Sequence, residues 1–145
     1  MTENVIRIER VLSASPKRVF DAFADAKSLS VWMCPSDEIS HATVEVDFRV
    51  GGRFRIAMHG GERDYVQHGE YLAIEPGRRI ELRWVSEWMP PEHAVTRLVV
   101  SFEAVDGGTR LSLEHRDLPD GDAYQGHREG WQRILAALSQ HLTVA

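Results

Sequence analysis

Apolar and polar residues nearly alternate over Val5-Ile6-Arg7-Ile8-Glu9-Arg10-Val11-Leu12, the period of a strand with one face buried. Ser15 then stands as a helix N-cap and Pro16 at the first helical position, ahead of Val19, Phe20 and Phe23 at helical spacing. Asp25 and Ser28 give a second start signal before Leu29 and Trp32, and Pro35 a stop, so two short helices follow in succession. From residue 43 the period of two returns, in runs at 43–49, 53–59, 65–74, 79–88, 95–104 and 109–116. Gly-Gly, Gly-Gly, Pro-Gly, Pro-Pro and Asp-Gly-Gly separate them, and connections this short join antiparallel neighbours in a meander. The last segment changes period. Trp131, Ile134, Leu135, Leu138 and Leu142 recur every three or four residues, one apolar stripe on a helix that begins near Asp122.

This order predicts one α+β domain in which the long helix lies across one face of a curved antiparallel sheet of six or seven strands. Alternation points Phe54, Ile56 and Met58 inward, then Ile80, Leu82 and Trp84, then Leu98, Val100 and Phe102, then Leu111, Leu113 and His115. Along 65–74 two registers compete: Tyr65, Tyr71 and Ala73 face inward in one, Val66, Leu72 and Ile74 in the other. Gly51-Gly52 reads as a tight turn that needs positive φ. A phosphate-cradling loop requires a helix after the glycines, and here the alternating Arg53-Phe54-Arg55-Ile56-Ala57-Met58 follows.

Composition narrows the function classes. The 17 Lys and Arg are scattered against 22 Asp and Glu, so nucleic acid is not an expected partner. No apolar run approaches the ~20 residues of a membrane span, and MTENVIRIER lacks the apolar centre of a signal peptide; a cytoplasmic protein is expected. The single cysteine, Cys34, forms no internal disulfide, and no neighbour in the sequence activates its thiol. His41, His59, His68, His93, His115, His127 and His141 show no metal-ligand spacing, so neither a metal nor another cofactor is expected.

His115 is the candidate for chemistry: it follows Leu111 and Leu113 on an inward face, and His127 approaches from the helix. The alternative is a core histidine bonded within the fold. Trp88-Met89 brings two apolar residues into a predicted hairpin loop, either to cover a cavity entrance, to form a subunit contact, or to pack beneath the loop. Asp117 to Asp122 is an acidic loop at the N-terminus of the last helix, where negative charge is favourable.

An ordered set of short features carries a resemblance over about residues 5 to 142. It comprises Ser15-Pro16 with Val19-Phe20-Asp21-Ala22; Trp32; Asp47-x-Arg49-x-Gly51-Gly52-x-Phe54; Gly69-x-Tyr71 with Pro76-x-Arg78-Arg79-Ile80 and Trp84; Gly108-Thr109-Arg110-Leu111; and His127 with Gly130-Trp131. The chain resembles the SRPBCC (START/Bet v1-like) superfamily, and within it the family related to the C-terminal domain of the activator of Hsp90 ATPase. The resemblance implies a helix-grip fold with a cavity between sheet and helix, and Tyr71 facing inward. Together with the inward pattern it implies a ligand-binding set of Trp32, Phe54, Met58, Tyr71, Trp84, Phe102, His115, His127, Trp131 and Leu135. Binding of a small hydrophobic or aromatic molecule is the leading expectation. A cyclase or hydrolase acting on polyketide-like substrates in the same cavity comes second. An Hsp90 cochaperone comes third, because these residues leave no room for the separate N-terminal domain of the eukaryotic activator. A homodimer through edge strands or the Trp88 loop is also expected.

Overall fold

The structure, a computed structural model, describes residues 5–34, 39, 41–119 and 121–143. Pro35, the expected stop of the second helix, lies outside them. The elements run β1 (Ile6–Leu12), α1 (Pro16–Ala24), α2 (Ala26–Trp32), β2 (His41–Val46), β3 (Arg53–His59), β4 (Asp64–Glu75), β5 (Arg79–Ser86), α3 (Pro91–Ala94), β6 (Val95–Val105), β7 (Gly108–Arg116) and α4 (Asp122–Thr143). Seven strands form one antiparallel sheet in the order β1-β7-β6-β5-β4-β3-β2, so the meander from β2 to β7 is closed by β1, which returns beside β7 with Ile6 opposite His115. The sheet curls, and α4 lies against its inner face. This is the helix-grip α+β fold.

Local chemistry accounts for the short helices. The Ser15 hydroxyl accepts the Arg18 N–H at 3.2 Å and Pro16 occupies the first turn of α1. Asp25 ends α1 and caps α2, accepting the Ser28 N–H at 3.2 Å; the Ser28 hydroxyl and backbone bonds hold its carboxyl below the usual range. Both helices deliver aromatic rings to the core. Phe20 and Phe23 meet Phe102 edge-on at 5.8 and 5.5 Å, and Phe23 meets Trp32 at 4.8 Å. The Trp32 indole is fully buried and donates its N–H to the Ala22 carbonyl at 3.2 Å.

Both registers proposed for β4 occur, one on each side of a bulge. Tyr71 pairs with Leu82, but Ala73 pairs with Glu81 and Ile74 with Ile80, which leaves Leu72 as the extra residue. Before the bulge Gln67, Gly69 and Tyr71 are buried; beyond it Ile74 packs against the core. A Cβ on Gly69 would stand 1.8 Å from the Arg83 carbonyl oxygen and 2.9 Å from the Phe54 ring. Its absence lets the strands, and the Phe54 and Trp84 rings 5.5 Å apart, close over that position.

The two glycines of the β2–β3 connection do different jobs. Gly52 donates its N–H to the Arg49 carbonyl at 2.8 Å, closing a turn whose third residue, Gly51, has φ +84°. Only Gly51 needs the left-handed region. Gly52 is required for space, since a Cβ there would lie 2.0 Å from the Asp47 carbonyl oxygen. Pro90-Pro91, read as hairpin punctuation, instead opens a single helical turn with Pro91 at its start, where the fixed φ of proline suits a helix.

Candidate functional site

The apolar stripe of α4 seals the middle of the grip. Trp131, Ile134, Leu135, Leu138 and Leu142 are all buried, and the space left among Phe54, Tyr71, Leu82, Trp84 and Leu98 is about 20 Å³, enough for about one water. Toward the start of α4 the filling stops. Gly126 and Gly130, one turn apart on the helix, present no side chain to the sheet, and a cavity of about 570 Å³ opens there. Met58, Gln67, Trp84, Trp131 and Ile134 form its buried wall; Trp88, Glu129 and Arg133 stand at its exposed rim.

A chain of hydrogen bonds fixes the aromatic wall. The Trp131 indole N–H reaches His115 Nδ1 at 2.9 Å, and His115 Nε2 lies 2.7 Å from the Thr96 hydroxyl, which donates to the Trp84 carbonyl at 2.8 Å. An indole can only donate, so Nδ1 is the acceptor and Nε2 carries the proton. The network therefore admits only the neutral ring. Complete burial, together with the nearby His127, holds its pKa down at about 3. Both nitrogens are committed, so proton transfer by His115 requires a bond to Trp131 or Thr96 to break. Its visible work is to position Trp131.

His127 borders the cavity itself. Its Nδ1 donates to the Ala123 carbonyl at 2.7 Å, its ring stacks on Trp88 with centroids 5.4 Å apart, and burial lowers its pKa. Among the described residues, His127 Nε2 and Ser86 Oγ are buried polar side-chain atoms without a partner, and of these two residues only His127 lines the cavity. Trp88 donates its indole N–H to Gln67 Oε1 at 3.2 Å, and Tyr65 meets it edge-on at 5.9 Å. Of the alternatives read for this pair, Trp88 stands on the cavity lining bonded to Gln67 of the same lining, while Met89 is buried.

Of the residues named from sequence, Met58, Trp84, His127 and Trp131 share this cavity. Trp32, Phe54, Tyr71, Phe102 and Leu135 pack in the sealed interior, and His115 sits fully buried at 5.9 Å from the Trp131 ring. Cys34 is half-buried with its thiol pKa pushed up by burial, and is not on the cavity wall. Sequence reasoning passed over Gln67 and the glycine pair. The legible signal was Gly126-x-x-x-Gly130 inside a helix, where each glycine costs ~1 kcal/mol relative to alanine and two on one side imply space.

Solved structures share this architecture closely. Protein CV1439 from Chromobacterium violaceum superposes with a TM-score of 0.84 at 26% identity, over 98% of this chain and 99% of that one. An HSP90 activator from Plasmodium falciparum, PFC0360w, gives 0.76 at 24% identity over 94% of each chain. CalU16 from Micromonospora echinospora gives 0.72 at 24% identity over 97% of this chain and 76% of its own. No curated protein matches the sequence. The model of the "Activator of Hsp90 ATPase homolog 1-like protein" family matches residues 13–143, which hold six of the seven strands and all of α4. The chain belongs to that family, and with it to the ligand-binding folds of the SRPBCC type.

Proposed function

We propose that the protein binds a small hydrophobic or aromatic molecule in the cavity between the sheet and the start of α4. The observation that carries this reading is the cavity itself: about 570 Å³, within the about 300–1,000 Å³ typical of small-molecule sites, with tryptophan walls and few polar groups. The hydrogen bond from Trp131 to His115 supports it, because it holds that ring in place before a ligand arrives and lowers the ordering cost of binding.

A thermal-shift screen against aromatic acids, phenols, lipids and polyketide-like compounds tests this directly. A ligand at about 100 times its Kd stabilises the fold by about 2.7 kcal/mol, which raises Tm by roughly 5–10 °C at this size. Three of the four tryptophans line the cavity and Trp32 does not, so binding also changes intrinsic fluorescence while Trp32 supplies a constant background. The shift is expected to vanish in Trp84→Ala. Absence of a shift from every class refutes the reading and turns attention to a chaperone partner, the property named for the Plasmodium falciparum relative.

An enzyme of cyclase or hydrolase type is the second reading, favoured by one observation: His127, a residue of the cavity lining, has a buried Nε2 without a partner. For any compound found to bind, His127→Gln should abolish turnover with little change in affinity if that lone pair acts as a base. Unchanged turnover removes His127 from the chemistry.

A further inference from the structure

The polar atoms of the cavity define what its ligand must carry, an inference that rests on the binding reading above. Gln67 Oε1 is taken by the Trp88 N–H, and the Gln67 amide nitrogen lies 3.7 Å from Met58 Sδ. The Trp131 N–H is taken by His115. Glu129 and Arg133 at the rim carry opposite charges. With Nδ1–H held by the Ala123 carbonyl, the neutral His127 ring on the cavity lining presents a lone pair at Nε2, the buried side-chain atom without a partner among the described lining residues. A buried acceptor without a partner costs the folded protein free energy that a donor would recover.

We propose that His127 Nε2 is the specificity determinant of the cavity and that the site takes aromatic molecules bearing a neutral O–H or N–H donor. The ring plane of His127 lies 20° from that of Trp88, so the stacked indole occupies a face of the imidazole, whereas a hydrogen bond to Nε2 runs in the plane. The aromatic body of such a ligand packs on Trp84 and Trp131, whose rings are 5.4 Å apart. Nε2 is covered by the surrounding side chains, so the donor reaches it as Trp88 shifts. Trp88 is suited to that: it sits on the loop after β5, is 37% exposed, and a 3.2 Å bond joins it to Gln67. At Nε2 a carboxylate is disfavoured, since its oxygens meet a lone pair rather than a donor.

The test is equilibrium dialysis of 2-naphthol, 2-methoxynaphthalene and 2-naphthoate against the wild type and His127→Phe, which keeps a ring against Trp88. In the wild type 2-naphthol is expected to bind about tenfold more tightly than 2-methoxynaphthalene, the loss that follows when a buried acceptor stays unpaired. In His127→Phe that ratio falls to near one while 2-methoxynaphthalene still binds. Equal affinities in the wild type, a ratio that survives the substitution, or tightest binding of 2-naphthoate overturns the proposal and leaves the cavity reading standing. Failure of all three compounds to bind overturns the proposal, while the cavity reading falls only if the thermal-shift screen also finds no ligand in any class. The His127 Nε2 nitrogen chemical shift probes the same hydrogen bond in the unmutated protein, independently of whether His127→Phe folds. It is expected to change on adding 2-naphthol and not on adding 2-methoxynaphthalene; the same response to both compounds overturns the proposal.

Discussion

Acid should destabilise this fold through His115 well above the pH at which carboxylates titrate. In an unfolded chain a histidine takes up its proton near a pKa of about 6.5; in the fold, complete burial, with the neighbouring His127 adding to it, lowers that value to about 3. The hydrogen bonds agree in direction, because a proton on Nδ1 would face the Trp131 N–H at 2.9 Å, donor against donor. Between those two pKa values the unfolded state binds a proton that the folded state refuses. The stabilisation is therefore complete above the unfolded pKa and is lost as pH falls, at about 1.4 kcal/mol per pH unit. From neutral pH and above down to about pH 5 the loss from this residue alone approaches about 2 kcal/mol, a sizeable share of a domain stability of about 5–15 kcal/mol. His127, its pKa also lowered by burial, acts in the same direction. Urea unfolding at several pH values across that window measures the slope, and His115→Leu should reduce it by about one proton, whatever its effect at neutral pH. Imidazole nitrogen shifts of the native protein provide a check without mutation: Nδ1 should remain unprotonated at about pH 5. Titration of His115 near its ordinary value, or an unchanged slope in His115→Leu, would refute the assignment.

Other expectations concern glycines and a cap. Gly126→Leu should abolish ligand binding by filling the cavity yet leave stability unchanged or higher, because nothing lies within 4 Å of a Cβ there and glycine costs ~1 kcal/mol in a helix; thermal shift with and without a bound compound reads both effects. Gly69→Ala should cost at least as much as an overpacked core site, roughly 1–3 kcal/mol, and more than Gly51→Ala, whose penalty is the left-handed backbone alone; the reverse order in urea unfolding would contradict the close approach of β4 and β5. Asp25→Ala should lower stability by ~1 kcal/mol through loss of the α2 cap, with Asp25→Ser retaining most of it; urea unfolding of the two variants measures the difference.

Much of the architecture follows from the order of residues alone. A period of two can bury only one side of a strand, and a period of three and four only one side of a helix, so seven strands and a closing helix were legible, as were the Ser15 and Asp25 caps, whose bonds span three residues. The resemblance carried by the scattered motifs identified the family. What the tertiary structure decided are distances between elements far apart in the chain. Both registers of β4 are used because a bulge at Leu72 changes sides midway, a choice made by pairing with β5. His115 alternates as an inward residue in either of its readings; only the approach of Thr96 from β6 and Trp131 from α4 commits both nitrogens and fixes the tautomer. The cavity is the clearest case. Alternation says which side chains point inward but not whether they meet, and they do meet around Phe54, Tyr71 and Leu82, while Gly126 and Gly130 leave the space beside Met58, Trp84 and Trp131 unfilled. Space in a protein is the difference between two packed surfaces, and a sequence describes each surface separately.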